Sequence, residues 1–372
     1  MSSTIDPGRR EIFARRLTDA TSGAFDVAAA YLGLRLGLYR SLADHGPTTS
    51  AELAERTSTN ERLVREWLEQ QAATEVLEAT RDDATQHGGS AARDSEAGAW
   101  RFALPAEHAV VLLDPDAIDG MGGTVRSLAA ELAMVPRLVE SFRTGRGIPY
   151  AEYGPDEADG QAMSTRPVYR SQLSSWFVAL PEVSARLAGG KVLDVGCGLG
   201  WSTVSIAKAF PTAQVDGVDF DLASIEAARE IAKQEGVSDR VRFEVRDAAE
   251  LAGAGYDLVT FFEMLHDLAR PVEALRAARE ALAPGGVVLV ADEITADAFA
   301  GPADEADRRH YGWSLLMCLP SSMSEPGSAA TGAVIRPATV RAYADAAGFA
   351  STEILPIESL AFRFYLLRPS GR

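Results

Sequence analysis

From residue 191 onward, short apolar runs alternate with longer stretches in which apolar residues recur at helical spacing. Such alternation predicts strands joined by crossover helices, hence an α/β domain built on a largely parallel sheet. The strand candidates are 192–195, 213–220, 241–245, 256–261, 287–291, 352–357 and 362–367, with a helix at 337–347 before the last two. The amino-terminal third reads differently. Residues 24–40 carry Phe25, Val27, Tyr31, Leu32, Leu34, Leu36, Leu38 and Tyr39, an apolar face broad enough for a helix buried on most sides. Thr49-Ser50-Ala51-Glu52 and Ser58-Thr59-Asn60-Glu61 match capping boxes and start two short helices, the second running to about Ala73. Residues 74–78 and 100–104 then pair as the wing of a winged helix, and 80–98, rich in Gly, Ser, Ala and Asp, reads as a flexible tract. Further helices are expected at 121–144 and 167–187, and an irregular insertion at 292–333.

One turn changes the picture most. Residues 191–203 read Lys-Val-Leu-Asp-Val-Gly-Cys-Gly-Leu-Gly-Trp-Ser-Thr, an apolar run that ends in an acid and breaks into glycines at alternate positions. Gly196, Gly198 and Gly200 supply positive φ and leave backbone bare for a ligand, so a cofactor pocket is implied. A dinucleotide turn wants a third glycine where this chain has Trp201, and the Lys-Ser/Thr pair of a phosphate-binding loop is missing.

The remaining D-x-G-x-G pattern resembles the first motif of class I S-adenosylmethionine-dependent methyltransferases. That resemblance implies a cofactor site on Asp194, Gly196, Cys197, Gly198 and Gly200. It places Asp219 on the ribose hydroxyls, Phe220 on the adenine, Asp247 and Ala248 near the adenine amine, and Phe262 at the end of the fourth strand. Acids at the carboxyl ends of parallel strands converge on one crevice. With the winged helix in front, the chain resembles the small-molecule methyltransferases of bacterial and plant secondary metabolism, and looks like an actinobacterial member. The resemblance implies a Rossmann-like seven-stranded domain over 183–372, a helical linker or lid over 116–182, and a homodimer formed through a winged-helix domain over 1–115.

Composition narrows the alternatives. A formal net charge of −17 would repel a phosphate backbone, and the would-be recognition helix sets Arg62 and Arg65 against Glu61, Glu66, Glu69, Glu75 and Glu78. A winged-helix regulator with S-adenosylmethionine as effector is therefore the lesser reading, and no nucleic-acid partner is expected. No run approaches the roughly 20 apolar residues of a membrane span and the first ten residues are polar, so a cytoplasmic protein is expected. Cys197 and Cys318 cannot form a disulfide framework.

Methyl transfer needs a nucleophile in line with the methyl group and a base for its proton. Among His45, His87, His108, His266 and His310, His266 directly follows the fourth strand in Phe262-Glu263-Met264-Leu265-His266-Asp267. This resembles the Leu-His-Asp-Trp segment of winged-helix O-methyltransferases, which implies His266 as general base, with Asp267 or Glu263 orienting it or acting in its place. Tyr150, Tyr153, Tyr169 and Trp176, with His310, Tyr311, Trp313 and Met317 of the insertion, are candidate walls for an aromatic or partly apolar substrate. Oxygen is the favoured acceptor and an electron-rich carbon, such as that of an indole, the second. His266, Asp267 and His310 have the composition of a two-histidine, one-carboxylate set, although no metal is expected.

Overall fold

The computed structural model describes residues 5–81, 100–251, 255–359 and 361–370. The chain divides into two compact units, Met1–Ala129 and Ala130–Arg372.

In the first unit, helix α1 (Pro7–Arg35) starts on the side chain of Asp6, which accepts from the backbone N–H groups of Gly8 and Arg9. Gly37, at φ 69°, ends the expected 24–40 helix early and turns the chain into α2 (Leu38–His45). The capping box of Thr49 and Glu52 is complete and starts α3 (Ser50–Thr57). The second expected box is not formed. Ser58 takes the left-handed conformation that closes α3, and Asn60 alone caps α4 (Glu61–Ala73). Leu38, Tyr39, Leu42, Leu53, Val64, Leu68 and Phe102 make this unit's core. Strands β1 (Glu78–Arg81) and β2 (Trp100–Ala103) pair antiparallel as the wing, and α5 (Ala106–Leu113) follows. Apart from its first two residues, the tract expected to be flexible lies outside the described residues, as does His87.

Helices α6 (Gly122–Ala133), α7 (Val135–Thr144), α8 (Pro155–Trp176) and α9 (Pro181–Arg186) lead to the sheet. The sheet comprises β3 (Lys191–Val195), β4 (Gln214–Asp219), β5 (Val241–Val245), β6 (Tyr256–Phe262), β7 (Leu282–Glu293), β8 (Phe349–Ile354) and β9 (Phe362–Pro369), in the order β5-β4-β3-β6-β7-β9-β8. The first five neighbours run parallel, and β9 pairs antiparallel with both β7 and β8. Helices α10 (Trp201–Ala209), α11 (Leu222–Gln234) and α12 (Pro271–Ala281) make the crossovers. Strand order reverses between β3 and β6, and a crevice opens at such a switch point, at the carboxyl ends of the strands.

Apolar layers cover both faces of the sheet. Leu193, Val195, Val259 and Phe261 face one, Val192, Leu258 and Phe262 the other, as the twofold period of a strand requires. The insertion is more regular than its sequence suggests. It folds as α13 (Glu305–Trp313), a π-helical turn over Ser314–Cys318, and α14 (Leu319–Ser322), before α15 (Pro337–Ala347) returns the chain to the sheet.

Candidate active site

The crevice is a cavity of about 430 Å³, and all its wall residues fall between Pro149 and Glu325. Gly196, Cys197 and Gly198 form one side. The N–H groups of Gly196 and Cys197 both donate to the carbonyl of Val218, at 2.8 and 3.1 Å, which ties the turn to the end of β4. Gly196 (φ 69°) must be glycine twice over, because a Cβ there would also lie 2.4 Å from the Met264 methyl. A Cβ on Gly198 would meet nothing within 4 Å, so this stretch of wall is bare backbone with open space before it. Asp219 stands beside it. One carboxylate oxygen accepts from the N–H of Gly198 and the other from that of Asp221, both at 2.9 Å. Each oxygen keeps acceptor capacity for a pair of vicinal hydroxyls. Phe220 follows, meeting the edge of Tyr150 at 6.3 Å between ring centres.

The third acid, Asp247, also lines the cavity, and both its oxygens are engaged: one accepts from the N–H of Ala249 at 2.8 Å, the other from Arg270 at 2.6 Å. Ala248 and Phe262 lie in the same wall. Asp194 is different. It is 1% exposed and absent from the wall; Ser202, Thr203 and Thr260 each donate a hydroxyl hydrogen bond of 2.6 Å to it. It fastens the glycine turn from inside rather than touching the cofactor, since a strand-end acid followed by a turn can point either way. Gly200 likewise lies behind the wall, where a Cβ would meet Phe243 at 2.8 Å.

At the end of β6 the wall is Glu263, Met264, Asp267 and Leu268. Glu263 sits at φ 55°, a strained conformation for a side-chain-bearing residue. Burial raises its carboxyl to about 7; the charge of His266 pulls it down, and Asp292 and Asp267 push it up. His266 does not reach the wall. It is 2% exposed, with Nδ1 2.6 Å from Asp292 and Nε2 3.3 Å from Asp267. Burial disfavours its charged form, but the two carboxylates outweigh that and raise its pKa well above the ordinary imidazole value.

Of the expected substrate-wall residues, Tyr150 and Tyr169 line the cavity and the others do not. Trp176 is core, 4.8 Å from Phe364 between ring centres. Tyr153, Trp313 and Met317 pack with Leu138 and Ile148, and the Tyr153 hydroxyl donates to the carbonyl of Leu316 at 2.7 Å. His310 faces Glu293 at 3.3 Å rather than His266, and Tyr311 bonds Arg336. Aromatic composition drew attention to these residues, but their rings fill space between elements. The wall that was missed is one face of α8 (Ala158, Gln161, Ala162 and Thr165, beside the expected Tyr169) with Ser321, Ser324 and Glu325. The helical spacing of small and polar residues along α8 was the available signal. Trp201, the residue that breaks the dinucleotide pattern, lines the cavity under the Arg166 guanidinium, 4.4 Å away.

Residues 187–320 match a family model described as a methyltransferase domain. The matched stretch lies wholly within the second unit and covers about a third of the chain. Residues 27–88 match a model described as an Rv2258c-like winged helix-turn-helix domain. Among curated relatives, 27-O-demethylrifamycin SV methyltransferase of Amycolatopsis mediterranei is 34% identical over 123 residues, 32% of this chain and 45% of that protein. A ubiquinone biosynthesis O-methyltransferase of Xanthomonas axonopodis pv. citri is 42% identical over 113 residues, 29% of this chain and 46% of that one. The match thus spans less than half the length of these relatives. The fold is that of mitomycin 7-O-methyltransferase MmcR (TM-score 0.67, 22% identity, 98% of this chain and 100% of that one). It is also that of human N-acetylserotonin methyltransferase in complex with SAM (TM-score 0.63, 17% identity, 100% of both chains). That human structure is a complex with SAM. The bare turn at Gly198, the doubly held Asp219 and the exposed ring of Phe220 fit its adenosyl group.

Proposed function

We propose that the protein transfers the methyl group of S-adenosylmethionine to an oxygen of a small, partly aromatic metabolite. One observation carries the reading: Asp219, suited to hold a ribose, and Glu263, a carboxyl with a pKa of about 7, stand in the wall of a single cavity with Tyr150, Tyr169 and Phe262. The cofactor supplies an electrophilic methyl carbon. With the cofactor bound, Asp219 would hold its ribose and Glu263 would take the proton of the acceptor oxygen as that oxygen is methylated, the demethylated thioether being the other product. A base of near-neutral pKa suits operation near pH 7. Asp267 is the second carboxylate at this point of the wall, and His266 acts from behind it as a positioning residue.

Ion pairs on α4 weigh against the regulator: Arg62 pairs with Glu66 at 2.5 Å and Arg65 with Glu61 at 2.8 Å, so neither is spare for phosphate. A homodimer through α1 is part of the same reading, because Ile12, Phe13, Leu17 and Phe25 are exposed along it. Among the described residues no helix is long and apolar enough to cross a membrane, in keeping with a cytoplasmic site of action.

The test combines calorimetry against S-adenosylhomocysteine with transfer of labelled methyl to phenols, enols and indoles. Micromolar or tighter product binding and label on an oxygen are expected. Glu263→Gln should lower kcat about 100-fold with product affinity unchanged. No affinity for the product would overturn the reading.

A further inference from the structure

Behind the cavity wall three different donor atoms converge. A ring nitrogen of His266, a carboxylate oxygen of Asp267 and Sγ of Cys318 all lie within 4.8 Å of one another, and it is Nε2 that faces Asp267, at 3.3 Å. Ligand bonds of about 2.0 to 2.3 Å hold ligand atoms less than about 4.6 Å apart around one ion, a separation the three reach with small side-chain movements. His266 and Cys318 are buried, at 2% and 6% exposed, whereas Asp267 borders the cavity. The pocket is therefore closed behind and open on the side where an acceptor would lie.

Two further observations fit an ion. First, the imidazole is already oriented for one. Nδ1 is held at 2.6 Å by Asp292, itself 0% exposed and further fixed by the N–H of Glu293 at 2.9 Å. A carboxylate on one ring nitrogen that leaves the other for a metal is the usual outer-shell arrangement of histidine ligands. Second, Oδ1 of Asp267 is shielded from solvent, points at Nε2 across 3.3 Å, and has no hydrogen-bond partner among the described residues. A metal on Nε2 would take over the pairing that the charged imidazole gives this oxygen. Cys318 reaches the cluster from the π-helical turn Ser314–Cys318, a helix irregularity that often marks a functional site. His310, the third member anticipated from composition, lies instead against Glu293.

We propose that His266, Asp267 and Cys318 bind one divalent transition-metal ion of the zinc class, with an open coordination position on the cavity. A thiolate with an imidazole and one carboxylate selects zinc over magnesium or calcium, which prefer oxygen alone. On entry the ion displaces the thiol proton, and any proton on Nε2, to solvent. The binding site does not depend on the methyl-transfer reading; only the further step, an acceptor oxygen at the open position, rests on it.

The test uses the full-length, tag-free protein, dialysed against chelator and reconstituted with Zn²⁺ or Co²⁺. About one ion per chain is expected, and the cobalt form should show a thiolate-to-cobalt charge-transfer band in the near ultraviolet. Cys318→Ser should abolish that band. Asp292→Asn, which changes the partner of Nδ1 and no proposed ligand, should weaken Zn²⁺ binding by about 10- to 100-fold. Circular dichroism on each variant confirms that it is folded. Failure of the wild-type protein to retain Zn²⁺, or an unchanged cobalt band in folded Cys318→Ser, overturns the proposal. S-adenosylhomocysteine calorimetry on the same samples reports on the methyltransferase reading separately.

Discussion

At the scale of single residues, two aspartates from neighbouring strand ends have opposite duties. Asp219 faces the cavity, so Asp219→Ala should weaken S-adenosylhomocysteine binding by about 10- to 100-fold, through loss of charge-assisted hydrogen bonds of about 1.5 to 3 kcal/mol each. Its effect on the melting temperature should be small by comparison. Asp194 faces inward and holds three hydroxyls, so Asp194→Ala should cost about 3 kcal/mol or more of stability, read as a lower denaturant midpoint. The opposite ranking of the two variants in the two assays would contradict these roles. Sequence alone assigned both acids to the cofactor. It places an acid at the end of a strand, but only the hydroxyls of Ser202, Thr203 and Thr260, one of them on another strand, show which way Asp194 points. The same holds for His266, whose position after β6 was legible while its burial between Asp267 and Asp292 was not.

At the scale of elements, α6 and α8 bring two buried glutamates together. Burial raises Glu131 to about 7; burial first, then the charges of Glu131 and Asp267, raises Glu157 to about 8. Each native carboxyl therefore keeps its proton to higher pH than the unfolded chain does, so the folded state binds more protons between about pH 4.5 and 8. Stability present below the unfolded value is lost as pH rises through the folded values. Glu157→Gln should consequently raise the melting temperature by about 5 °C at pH 8.5 and change it little at pH 5, measured by calorimetry across pH. An equal effect at both pH values would refute this account. The elements themselves were largely readable, because strands with crossover helices announce themselves by period. Boundaries were less so where a single left-handed residue decides, as Gly37 and Ser58 do. The insertion looked irregular because its helices are short and one is π-helical, a geometry with no sequence period to detect.

At the scale of the whole molecule, the long first helix leads to a prediction about assembly. On the proposed homodimer through α1, Phe13→Glu together with Leu17→Glu on its exposed face should shift the sedimentation equilibrium from dimer to monomer. A wild-type monomer at micromolar concentration would remove the basis for that expectation. The division into Met1–Ala129 and Ala130–Arg372 has a different consequence, since every residue bordering the cavity belongs to the latter. On the proposed function, donor recognition would travel with that one unit. A gene fragment opening at Asp116, ahead of α6, should still titrate with S-adenosylhomocysteine at an affinity within about tenfold of the intact protein, as expected of a portion with its own core. The two units would then be free to be recombined, by evolution or by an engineer, without rebuilding the grip on the donor.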